Sequence, residues 1–256
     1  YRVFNIKKII NMIIANWKCN GSKKMIHEWV KEFKGTYISS DELYLGIAPA
    51  YIHVEHLADS LTSNDLDIKY GVQNIDLSSG ARTGAISLDM VHDMACSFSL
   101  IGHSEMRNIY GETNENITGK LDLIDKGLDV ILCIGESAEE NFNGKTKEVL
   151  KHQLQVLNGR NLAENFTIAY EPVWAIGTGK TPTSEQINEI HNFIKDVVQS
   201  SSSSIAVPKV LYGGSVDENN AQSFFNEDFV DGALIGGASL NGNSFAKIVN
   251  LYNGVD

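Results

Sequence analysis

Positive charge is scarce in this chain. Its 256 residues carry 21 lysines and arginines against 32 aspartates and glutamates, a formal charge of −11. That balance argues against nucleic acid and against an anionic membrane surface as main partners. Any phosphate ligand then has to be held by local devices, not by a general positive field. Cysteine is sparse as well: Cys19, Cys96 and Cys133 are an odd number with no Cys-x-x-Cys spacing, which speaks against structural zinc and for a reduced, cytoplasmic setting. No apolar run approaches the length of a membrane span. The first eleven residues are broken by Arg2, Lys7 and Lys8 and make a poor signal peptide. His53 and His56 stand three apart with no third ligand, so no metal is expected. Basic patches and internal repeats are missing too.

Short apolar segments alternate with amphipathic ones along the whole length. The strand candidates are 13–15, 43–48, 68–72, 98–101, 130–134, 167–170, 210–212 and 233–235. Helical spacing falls between them. Ile26, Trp29, Val30 and Phe33 stand at i, i+3, i+4 and i+7, and Ile187, Ile190 and Ile194 mark a second face. Thr183 with Gln186 makes a capping box that opens that second helix. The serine run 200–204 reads as a solvated linker. Met12 stands directly before the first convincing strand, so residues 1–11 are expected to be an extension and 12–256 one catalytic domain.

Eight strands alternating with helices over this length predict parallel βαβ units closed into an α/β barrel, with a doubly wound open sheet as the alternative. The even repeat favours closure, as does the lack of a Gly-x-Gly-x-x-Gly turn after the first strand. In a barrel, the residues just after each strand line one rim, where chemistry would lie.

One stretch organises the rest: Tyr170-Glu171-Pro172-Val173-Trp174-Ala175-Ile176-Gly177-Thr178-Gly179-Lys180-Thr181. Glu171 ends a buried strand, and Pro172 stops any ladder or helix from continuing. The glycine-rich segment beyond it, bounded by Pro172 and Pro182, has the build of a movable flap with stiff ends. A carboxylate at the root of a flap points to a base working in a closed, dry site. Gly179-Lys180-Thr181 is not the end of a P-loop, because Trp174 stands where that motif needs its first glycine.

The other strand ends complete the rim. Asn16 and Lys18 follow strand one, and His103, Ser104 and Glu105 follow strand four. Gly213-Gly214-Ser215 follows strand seven, and Gly236-Gly237-Ala238-Ser239 strand eight. Glycines there let backbone N–H groups approach an anion closely. A base, two groups able to polarise an oxygen and two glycine turns therefore suit a small phosphate ester.

These segments resemble the triosephosphate isomerase family. The resemblance covers residues 12–256 in five motifs: Asn16-Trp17-Lys18-Cys19-Asn20-Gly21, Gly102-His103-Ser104-Glu105, Cys133-Ile134-Gly135-Glu136, the stretch 170–180, and Tyr212-Gly213-Gly214-Ser215-Val216 with Gly236-Gly237-Ala238-Ser239-Leu240. It implies a cofactor-free interconversion of dihydroxyacetone phosphate and D-glyceraldehyde 3-phosphate, a step of glycolysis and gluconeogenesis. Glu171 would be the base, His103 a neutral electrophile, and Asn16 and Lys18 substrate ligands. Gly177, Ser215, Gly236 and Gly237 would grip the phosphate. Glu105 would orient Lys18 or hold the neighbouring subunit's loop, and Tyr212 would pack in place or latch the closed flap. The resemblance also implies a homodimer in which loop 73–85 of each subunit enters the other near Asn16 and Glu105. Two departures touch that contact: Met106 stands where the family usually has arginine, and Ala85 where it usually has glutamate.

Overall fold

The structure, a computed structural model, describes residues 11–40, 43–124, 127–162, 166–175, 181–202 and 207–254. Its frame is β1 (Asn11–Asn16), β2 (Leu43–Ala48), β3 (Lys69–Val72), β4 (Phe98–Ile101), β5 (Asp129–Ile134), β6 (Phe166–Tyr170), β7 (Lys209–Tyr212) and β8 (Gly232–Ile235). Each strand pairs in parallel with the next, and β8 pairs back onto β1, so the sheet is a closed barrel and the open alternative is excluded. Closure depends on a missing side chain. Gly232 has φ 140°, and a Cβ there would run into the Met12 carbonyl.

Side-chain alternation divides the core in two. Met12, Ile14, Phe98, Leu100, Ile131, Cys133, Leu211 and Leu234 fill the barrel interior. Their strand neighbours Ile13, Ala15, Ile101, Leu132, Ile134 and Val210 face the surrounding helices instead. With both faces covered, the strands read as continuous apolar runs, which is why they were visible without polar alternation. Ile26, Trp29, Val30 and Phe33 are the buried stripe of helix Lys23–Thr36. Helix Ser184–Ser201 opens with the Thr183–Gln186 capping box.

Two boundaries differ from the sequence reading. β1 begins at Asn11, which pairs with Leu43, one residue before Met12; residues 1–10 lie outside the described residues. Ser200 and Ser201 belong to helix Ser184–Ser201 and not to a linker. The buried stripe Ile187, His191, Ile194 and Val198 carries the helix on, and the Ser202 N–H still reaches the Val198 carbonyl. Apolar packing outweighs the weak helix preference of serine there.

Candidate active site

Glu171 follows β6, its N–H donating 2.7 Å to the Ile134 carbonyl at the end of β5. Two glycines shape its slot. A Cβ on Gly213 would lie 2.6 Å from Glu171 Cγ, and one on Gly135 would collide with the Glu171 carbonyl. The carboxylate is 3% exposed. Its Oε2 accepts from the Ser104 N–H at 3.4 Å, and its Oε1 lies 3.0 Å from His103 Nε2. Burial pushes its pKa up, but His103, Lys18 and the Ser104 N–H together bring it below the ordinary glutamate value.

His103 stands directly before helix Ser104–Asn108 and caps it: Nδ1 accepts from the Glu105 N–H at 3.1 Å. A ring nitrogen that accepts carries no proton, so the proton belongs on Nε2, facing Glu171. Nε2 is close to that carboxylate without being aligned on it. Burial pulls the His103 pKa down and the charge of Glu171 pushes it up, with a net rise. The Glu105 N–H opposes that rise, because a proton on Nδ1 would set two donors against each other. The directed bond outweighs the unaligned pairing, and we read the ring as neutral.

Lys18 adopts φ 51°, a left-handed conformation that is strained for a residue with a side chain. Its neighbours hold it there: its N–H donates 3.0 Å to Asn16 Oδ1, and its carbonyl accepts 2.8 Å from Gln73 Nε2. Its ammonium pairs with Glu105 Oε1 at 2.7 Å. Lys18 then borders a cavity of about 370 Å³ together with Asn16, Glu171, Ser215, Gly236 and Gly237. A Cβ on Gly237 would meet nothing, leaving open space before that backbone.

The rim therefore unites the sequence-derived residues Asn16, Lys18, His103, Glu171, Ser215, Gly236 and Gly237, with Glu105 one contact away. Gly177 lies outside the described residues. Tyr212 is fully buried, its ring 4.4 Å from Phe224 and its hydroxyl beneath Gly214 with no hydrogen-bond partner among the described residues. It does not line the cavity. Among the described residues no three His, Cys, Asp or Glu side chains gather as a metal site.

Several contributors had no role in the sequence reading. Buried Glu136 accepts from the Tyr170 hydroxyl (3.1 Å), Trp174 Nε1 (2.8 Å) and Asn141 Nδ2 (3.1 Å), anchoring the segment that leaves Glu171. The Ser215 hydroxyl pins the same segment through the Ala175 carbonyl at 2.7 Å. Gln153 exchanges two hydrogen bonds with the backbone of Gly135, and Arg107 ties the Gly102 and Cys133 carbonyls together. Glu136 stands inside one of the quoted motifs and was the one recoverable signal. Gln73, Gln153 and Arg107 act through long-range backbone contacts that local patterns do not encode.

A buried carboxylate, an ammonium and a glycine-lined recess border one small cavity, and a neutral imidazole N–H stands 3.0 Å from that carboxylate. That set can move a proton beside a carbonyl while stabilising the oxyanion that forms, in a substrate bearing an anionic tail.

The family model described as "Triosephosphate isomerase" matches residues 11–252. Similar chains include the triosephosphate isomerase of Erwinia tasmaniensis, 39% identical over 93% of this chain and 95% of its own. That of Serratia proteamaculans is also 39% identical, over 93% and 95%. That of Francisella philomiragia is 38% identical, over 94% of this chain and 97% of its own.

Proposed function

Because the chain belongs to the triosephosphate isomerase family, we propose that Glu171, His103, Lys18 and Asn16 are the residues that carry its reaction. The chain is an isomerase that interconverts dihydroxyacetone phosphate and D-glyceraldehyde 3-phosphate, a step of glycolysis. Glu171 removes a proton from the carbon beside the carbonyl and returns it to the neighbouring carbon. His103 Nε2–H donates to the carbonyl oxygens in turn. Lys18 balances the charge of the phosphate and of the enediolate, and Asn16 bonds the substrate while holding the Lys18 backbone. Gly177, Ser215, Gly236 and Gly237 take the phosphate. No cofactor enters this scheme. The single observation that carries it is the buried Glu171 carboxylate 3.0 Å from His103 Nε2 at the edge of the shared cavity. A coupled assay in both directions tests it; a folded chain inert on both triose phosphates would overturn it.

The enediolate carries a phosphate on the adjacent carbon and, in open solvent, expels it to give methylglyoxal. Holding the phosphate in the plane of the intermediate and excluding water disfavours that loss. Tyr212 is assigned as the latch of segment 172–180, on the strength of its orphaned hydroxyl beneath the Gly214-Ser215 turn. Tyr212→Phe is then expected to leave thermal stability unchanged or slightly raised, since it removes a buried polar group without a partner among the described residues. It should raise methylglyoxal per glyceraldehyde 3-phosphate formed, and deleting residues 176–178 should raise it further. An unchanged ratio in both variants would refute the protective role.

The same reading makes the protein a cytoplasmic homodimer, a location that suits its three free cysteines. A cavity of about 630 Å³ beside Lys18 is bordered by Ala85, Met106 and Tyr110 and is large enough to receive a loop. Ile52, Ile109 and Tyr110 around this region are 86%, 70% and 73% exposed, apolar surface that a partner would cover. The intruding loop 73–85 is braced internally by Arg82 on Asp76 at 2.8 Å. Ala85 and Met106 border one cavity of the chain; if the two also meet across the contact, their departure from glutamate and arginine removes opposite charges together and leaves no orphan. Sedimentation at micromolar concentration should give twice the 28.2 kDa chain mass. A fully active monomer would contradict the dimer.

A further inference from the structure

We infer that Trp29 is a positioning residue for the phosphate subsite, acting with Trp17 through one backbone carbonyl. The inference rests on reading Gly236 and Gly237 as the phosphate grip. Trp17 Nε1 donates 3.2 Å and Trp29 Nε1 donates 2.8 Å to the same oxygen, the carbonyl of Ser239. A carbonyl has two acceptor sites, and here both are taken by indoles from distant parts of the chain.

Ser239 belongs to the short 3₁₀ turn Gly237–Leu240, which begins at the second of the two glycines. The turn is fastened on its other side as well. The Ser239 N–H reaches the Gly236 carbonyl at 2.9 Å, and its hydroxyl lies 2.9 Å from the Ile235 carbonyl and 2.6 Å from that of Gly236. Glycine backbone has the widest conformational freedom, so a grip made of Gly236 and Gly237 has little stiffness of its own. Preorganisation has to come from what holds the turn.

Trp29 is well placed to supply it. It is 1% exposed, outside the cavity lining, and its ring is fixed by parallel stacking on Phe33 at 4.8 Å and an edge contact with Trp17 at 5.6 Å. Gly242 packs against the Trp29 carbonyl, where a Cβ would collide. Helix Lys23–Thr36 thus delivers a rigid N–H to the turn beneath the phosphate, while β1 delivers the other beside Lys18.

The test compares Trp29→Phe with wild type using three measurements on the full chain. Trp29→Phe keeps an aromatic ring and removes the N–H. The dissociation constant of inorganic phosphate, by calorimetry, should rise about threefold to tenfold, the scale of one lost hydrogen bond. kcat/KM for D-glyceraldehyde 3-phosphate should fall by a similar factor. kcat/KM for unphosphorylated D-glyceraldehyde should stay within about twofold. Should Trp29→Phe not fold, Trp17→Phe removes the other donor from the same oxygen and is expected to give the same pattern. Unchanged phosphate affinity, or an equal loss on both substrates, would overturn the inference. Wild type that binds phosphate yet turns over neither triose phosphate would overturn the proposed function while the calorimetry still judged Trp29.

Discussion

Replacing Glu171 by glutamine is expected to lower kcat at least about 10²-fold, the low end of what a general base contributes. The amide fits the slot between Gly135 and Gly213, and it can still accept from the Ser104 N–H. Melting temperature and inorganic phosphate affinity should therefore stay close to wild type. What disappears is the basic oxygen pair, which its surroundings keep below the ordinary glutamate pKa against the pull of burial. Steady-state kinetics in both directions read the effect. Turnover near wild type in a folded Glu171→Gln variant would remove Glu171 from the role of base.

The second large effect is on stability in acid. His191, on helix Ser184–Ser201, is fully buried with its ring edge-on to Tyr170 at 5.9 Å. Nδ1 bonds the Phe229 carbonyl at 3.2 Å, and Nε2 has no partner among the described residues. Burial pushes its pKa down to about 3, with Lys195 adding to the fall and the Phe229 carbonyl opposing it. A histidine depressed in the folded state is protonated first in the unfolded chain. Its contribution is therefore neutral above about pH 6.5, and stability falls with pH from there down to about pH 3. At about 1.4 kcal/mol per pH unit the loss is roughly 2–3 kcal/mol by pH 4.5 and roughly 4–5 kcal/mol at the bottom of the window. His191→Gln should cost about 1 kcal/mol at neutral pH for the altered bond to Phe229. It should then lose distinctly less than wild type on acidification. Urea unfolding at pH 7.5 and pH 4.5, at one protein concentration, isolates the difference, because the carboxylates titrate in both chains. Parallel losses would show that His191 does not govern the acid limb.

The frame and the rim were legible for the same reason. A parallel strand buried on both faces is an apolar run, and the residues at and just beyond its end are carried to the barrel mouth, so Asn16, His103, Glu171 and Ser215 announce themselves by position. The end of helix Ser184–Ser201 was not legible, since nothing local in a serine run shows that Val198 is packed below it. Glu136 is a related case. Its three donors come from Tyr170, Trp174 and Asn141, and only the folded chain brings them onto one carboxylate. The same holds for Trp29, whose spacing marked a core face but not the carbonyl its N–H would meet. Periodicity records which side of an element is buried. It carries no record of the single directed bond a buried side chain makes.

The seam between β1 and β8 has a consequence for how the protein is made. Met12 pairs with Gly232, so β1 leaves the ribosome long before β8 and waits for it before its second edge is covered. Until then β1 has β2 on one side and a row of unpaired backbone groups on the other, in a segment reading Asn-Met-Ile-Ile-Ala-Asn. Such an edge is a template for pairing with another nascent chain. A chain stalled or cleaved before Gly232 would keep that edge open for its whole lifetime, which makes C-terminal truncation an aggregation hazard out of proportion to the residues lost.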